Sequence, residues 1–244
     1  MSAKPVSLPC RVFGLPVRAG TVALALAAGS AISARETAGT IKAKLGVAAT
    51  AIAGGRHTLW LRAGPGRDPV EIILNTRTFS EPLEYKGPAE ALFFATREDA
   101  AAGEPEVEPV ARTRLAAGGS LLVFVPAGDE ANYRILATRS DAFPYGSYNF
   151  VNFSDDAILV QGGDKTRPVR LDPGKTHVFT FDDDRRVVTL RIADTPEGES
   201  PRLIRQTNFS ITPEWREMVF FFNDPQGGRI RMRHLVDTMP AREE

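Results

Sequence analysis

The sequence predicts an all-β chain made of two tandem antiparallel β-sandwich domains, and three observations carry that expectation. Short runs rich in Val, Ile, Phe, Tyr and Thr recur along the chain, bounded by Gly, Pro, Asp or Asn. Helix signals are confined to two brief stretches, 98–103 and 212–217. The later part of the chain also repeats the earlier part. Residues 82–94 line up with 168–180 at an offset of 86, 121–125 with 218–222 at 97, and 141–144 with 237–240. Such drift is expected when strands are kept and loops change length.

In the first unit the strand-like runs are 58–62, 70–75, 91–95, 121–125 and 133–137. The run 121–125 (Leu-Leu-Val-Phe-Val) is apolar at every position, which suits a strand covered on both faces. In the second unit the runs are 148–152, 157–160, 176–181, 187–192, 202–205, 218–222 and 229–234. Between the units, Asp141-Ala-Phe-Pro-Tyr-Gly146 reads as a linker, because proline and glycine break both helix and strand. The expected organisation is 57–140 for the first unit, 141–146 for the linker and 147–240 for the second.

The N-terminus has the layout of a secretory signal over 1–34. Lys4, Arg11 and Arg18 come first, then the apolar run 21–28, then small residues through Ala34. The apolar run is far short of the ~20 residues that span a bilayer, so no membrane span is expected in the mature chain. Residues 35–56 read as a flexible leader. The expected setting is the periplasm or the medium outside a bacterium. The lone cysteine, Cys10, precedes the apolar run and would leave with the signal. A mature chain without thiols has no cysteine nucleophile, disulfide framework or thiolate metal site.

Across the whole chain 30 basic residues balance 30 acidic ones. Loss of the three basic residues in 1–34 leaves 27 against 30, a net charge near −3 that disfavours nucleic acid as a partner. His57, His177 and His234 fall in different runs without the close spacing of a metal pair, so neither metal nor cofactor is expected. The Asp182–Asp184 cluster reads as a turn, and a calcium shell of about six to eight oxygens would need more than one turn. Neither Gly-x-Ser-x-Gly, His-Glu-x-x-His nor a phosphate loop occurs, and no catalytic residue is assigned.

Two features suggest a binding surface. Arg229, Arg231 and Arg233 alternate with Ile230, Met232 and His234, so period two puts the guanidinium groups on one face. Such a face suits an anionic envelope component or an acidic protein. Trp215 follows Pro213 in a loop-like stretch, where its indole could serve recognition.

Pro82-Leu-Glu-Tyr-Lys-Gly-Pro88, and Tyr148-Asn-Phe-Val-Asn-Phe-Ser154 followed by Val169-Arg-Leu-Asp-Pro-Gly174, resemble segments of uncharacterised secreted bacterial proteins with tandem immunoglobulin-like (Ig-like) sandwich units. The pattern is more loosely similar to two-domain periplasmic pilus chaperones. The resemblance implies two Ig-like domains and an exported, non-enzymatic protein acting through protein or cell-envelope contacts. Two alternatives stand beside that reading: a chaperone-like protein that binds a partner by strand addition, and a carbohydrate-binding module or hydrolase.

Overall fold

The computed structural model describes residues 40–64, 66–102, 107–128, 131–163, 166–181, 187–196, 198–224 and 230–240. The signal-like segment 1–34, the Asp182–Asp184 turn and Arg229 lie outside the described residues. Among the described residues no helix is long and apolar enough to cross a membrane.

The described chain is nearly all β, in four sheets of four strands. The strands preceding residue 140 are β1 (Thr40–Ala49), β2 (Thr58–Leu61), β3 (Val70–Ile73), β4 (Leu83–Pro88), β5 (Glu90–Phe94), β6 (Ala111–Arg114), β7 (Gly118–Pro126) and β8 (Tyr133–Arg139). They form sheets of order β4-β1-β7-β8 and β3-β2-β5-β6. Those that follow are β9 (Tyr148–Asn152), β10 (Ala157–Gly162), β11 (Val169–Leu171), β12 (Thr176–Phe179), β13 (Val187–Thr195), β14 (Arg202–Ser210), β15 (Trp215–Asn223) and β16 (Ile230–Thr238). Their sheets run β12-β9-β15-β16 and β11-β10-β13-β14.

The two orders are the same pattern shifted by eight strands, so the repeat is present at the level of topology. The sequence alignment of its first segment, however, slips by one strand. Matching 82–94 to 168–180 lays β4 on β11 and β5 on β12, whereas topology pairs β4 with β12 and β5 with β13. Proline–glycine turns between successive strands look alike, so an alignment can slide by one strand without losing its pattern. The later matches hold, since 121–125 falls in β7 and 218–222 in the equivalent β15.

The all-antiparallel expectation also needs correction. β1 pairs with β7 in parallel, and β9 with β15 likewise. A parallel pair requires a long connection between its strands, and here five intervening strands supply it in each half.

Residues 40–49 are the largest departure from expectation. The supposed flexible leader carries β1, an inner strand flanked by β4 and β7. Its Ala- and Gly-rich sequence mimics the end of a leader but has a packing cause. From Leu45 to Ala49 β1 is buried on both faces, and a Cβ placed on Gly46 would lie 2.8 Å from Leu121 Cδ2. Small side chains are what the strand can fit.

Three apolar clusters explain the stacking. One lies between the two sheets that precede residue 140 and includes Leu45, Leu59, Phe93, Leu122, Phe124 and Tyr133. A second lies between the two that follow and includes Phe150, Ile158, Leu190, Val219 and Phe221. The third takes the opposite faces of β7 and β15: Leu121, Val123 and Val125 meet Phe143, Met218, Phe220 and Leu235. The continuous apolar run in β7 is thus explained, because alternate residues feed two different cores.

Among the described residues α-helix is limited to α1 (Arg97–Ala101), where Thr96 Oγ1 accepts from Asp99 N at 3.2 Å as N-cap, and two single 3-10 turns lie at Ala53–Gly55 and Ser140–Ala142. The expected second turn at 212–217 is only a tight turn over Pro213 and Glu214, closed by Trp215 N donating to Thr212 O at 3.0 Å. From Trp215 onward that stretch is β15.

Candidate functional site

The described arginines of β16 alternate as expected. Ile230 and Met232 pack toward the second core, while Arg231 and Arg233 take the opposite face and are exposed. Arg231 pairs with Asp224, Nη2 to Oδ1 at 2.8 Å. Cross-strand, Arg231 stands beside Phe222 and Arg233 beside Phe220. Trp215 is brought to neither of them. It pairs with Thr238, seven positions along β15 from Phe222, or about 24 Å at strand rise. The sequence-derived residues therefore form two separate surfaces.

Trp215 instead borders a recess of about 290 Å³ at the side of the second half, between β14 and the β15–β16 pair. Its indole is half exposed, at 50%. Tyr148 and Phe209 supply aromatic surface, their rings 5.0 Å apart edge to face. Tyr148 donates its hydroxyl to Ser210 O at 2.6 Å. Burial, and secondarily the charge of Glu217, raise its phenol pKa. Glu217 Oε1 bonds to His234 Nδ1, and the imidazole stacks on Phe209 at 6.0 Å. Arg205, Thr207 and Asn208 of β14 add to the polar lining. Period two puts Trp215, Glu217 and Val219 on one face of β15, so the same alternation that fills the second core also builds this recess.

A cleft of about 1040 Å³ has walls from both halves. Several of its polar groups are already engaged. Arg216, at 6% exposure, donates through Nε to Asp237 Oδ2 at 2.7 Å and through Nη1 to the carbonyls of Ser140 and Phe143. The guanidinium also lies over the Tyr145 ring at 4.4 Å, and Tyr145 donates to Asp237 at 3.3 Å. Asp141 is bound by Arg139, whose hydrogen bonds hold its carboxyl below the usual range. The expected linker 141–146 is thereby fastened onto the second half, with Phe143 fully buried. Residues 77–79 cover the free edge of β16 at Val236, with Phe79 N donating to Val236 O and Val236 N to Arg77 O, both at 3.0 Å.

Among the described residues, no three His, Cys, Asp or Glu side chains gather as a metal set. Asp194 is buried, and Arg202 grips it with Nε 3.2 Å from both carboxylate oxygens.

Sequence reasoning found Trp215 but missed Arg205, Glu217 and the Arg216–Asp237 pair. The pairing of Asp141 with Asp237 in the repeat was the one signal pointing at the clamp. No family model matches the chain, and no curated protein matches it. Among solved structures, it is similar to a leucine-rich repeat protein from Bacteroides thetaiotaomicron at 11% identity and a TM-score of 0.17. That match covers 75% of this chain and 25% of the other, so the chain spans a quarter of that protein's length. A likeness this low carries no argument about fold or function.

Proposed function

We propose that this is an exported, non-enzymatic protein of two Ig-like β-sandwich domains that acts through protein or cell-envelope contacts. The observation that supports this most is the third apolar cluster. It joins the inner sheets of both halves face to face, and the Arg216 clamp fixes the connector beside it. Such packing leaves the outward surfaces and the outer strands for contact. A rigid scaffold presenting surfaces is the arrangement that binding proteins share.

Strand addition in the cleft is less favoured, because 77–79 already cover the β16 edge there at Val236. Hydrolysis in the cleft is less favoured too, since Asp141 and Asp237 are each committed to an arginine.

Fractionation of the native bacterium with N-terminal sequencing tests the reading. The expected result is a chain shortened near residues 31–34, outside the cytoplasm, which crosslinks to an envelope or protein partner. A full-length chain confined to the cytoplasm would overturn it.

A further inference from the structure

We propose that the recess beside Trp215 is a binding site for one neutral pyranose ring of a glycan. The proposal rests on the envelope-contact reading for where such a ligand is met, but the binding itself stands on the recess.

Size comes first. At about 290 Å³ the recess lies at the lower end of small-ligand pockets, ~300–1,000 Å³, so it takes one small ring and not a chain of them. Shape comes next. An indole that is 50% exposed beside a recess offers a flat apolar plate. The C–H face of a pyranose is equally flat and apolar, while its hydroxyls project around the rim. A ring stacked on Trp215 would therefore send its polar groups toward the polar lining.

That lining suits hydroxyls. Arg205 only donates, the Glu217 carboxylate only accepts, and Thr207 does both. Each sugar hydroxyl is donor and acceptor together, so a mixed set satisfies it where a lining of one kind would not. Charge narrows the class further. Arg205 and Glu217 offset each other, so an anionic ligand meets the carboxylate and a cationic one meets the guanidinium. A neutral ligand is the one that meets no like charge in this lining.

The site is also held in place before any ligand arrives. Glu217 is bonded to His234, His234 stacks on Phe209, and the Tyr148 hydroxyl is tied to Ser210. The groups come from regular strands, which fix side chains better than loops do.

The test is titration of the full chain with the methyl glycosides of glucose, galactose and mannose and with N-acetylglucosamine. Tryptophan fluorescence in a Trp60→Phe background isolates Trp215, and saturation-transfer NMR reads the sugar. The expected result is saturable binding of at least one of these at millimolar concentration, on the order of 1–10 mM. Trp215→Ala should weaken it about tenfold or more, and the isosteric Glu217→Gln several-fold, with the circular dichroism spectrum kept. Three results would overturn the proposal. One is no saturation by any of the four up to about 100 mM. Another is binding unchanged in Trp215→Ala. The third is tighter binding of glucuronate or glucosamine than of every neutral sugar. Export can fail its own test while the sugar binds, and the reverse, so the two readings are separable.

Discussion

Arg216 and Asp237 are cross-strand partners on β15 and β16 and form a buried ion pair, Nε to Oδ2 at 2.7 Å. The pair does more than neutralise itself. The second edge of the guanidinium holds the carbonyls of Ser140 and Phe143, so one side chain on the second half fixes the chain leaving the first. Removing one member of such a pair leaves a buried charge uncompensated and costs about 3–5 kcal/mol. Arg216→Ala should therefore lower stability by that order in urea unfolding, and Arg216→Lys should recover little, since one ammonium cannot reproduce the fork. Replacing both residues, as Arg216→Met with Asp237→Leu, should cost less than Arg216→Ala alone. A double variant at least as unstable as the single one would remove the ion-pair account.

Gly46 tests whether β1 belongs inside the fold. Gly46→Ala should destabilise by about 1–3 kcal/mol, because the new methyl meets Leu121. Leu121→Val shortens the opposing side chain, so the same alanine should cost less in that background. If Gly46→Ala is neutral in thermal unfolding, β1 is not seated against β7 as described.

The third cluster predicts that the two halves unfold together. Phe220 is fully buried in it and stacks on Phe153 at 6.0 Å. Phe220→Ala should cost about 3–5 kcal/mol. With Leu121→Ala added, calorimetry should resolve two transitions where the parent chain shows one. A parent chain that already melts in two steps would show that the cluster does not couple the halves.

Alkaline titration reads the Tyr85 site. Tyr85 is buried and donates to Pro88 O at 2.8 Å, and burial pushes its phenol pKa up to about 12. A phenol held neutral by the fold contributes stability that is complete below its unfolded pKa of about 10. That contribution is lost as pH rises from about 10 through about 12. Two units correspond to about 3 kcal/mol. Tyr85→Phe should flatten the decline in stability over that window and remove one late step from the tyrosinate absorbance. An unchanged absorbance titration would overturn the assignment.

Much of this fold is legible locally. Runs such as 121–125, 148–152 and 218–222 announce themselves through β-branched and aromatic residues, and Pro and Gly mark their ends. β1 was not legible, because a strand squeezed between two cores uses Ala and Gly and so looks like leader. β4, with Lys, Gly and Pro in its six residues, was missed as well, and so were the short β6 and β11, three or four residues with arginines among them. At the candidate site, Trp215 stood out as an aromatic in a polar stretch, whereas Glu217 and Arg205 resemble any other charged residue on a strand.

The sequence by itself determined that the chain is β-rich and that its strand pattern recurs. Both are properties of neighbours along the chain: period-two alternation, strand propensity and turn residues. Only the tertiary structure decided that β1 lies parallel to β7 and that β7 feeds two cores. It alone placed Trp215 beside Phe209 and His234 and apart from Arg231. Those relations depend on pairing and packing between distant segments, where residues meet because sheets stack and not because they are close in sequence.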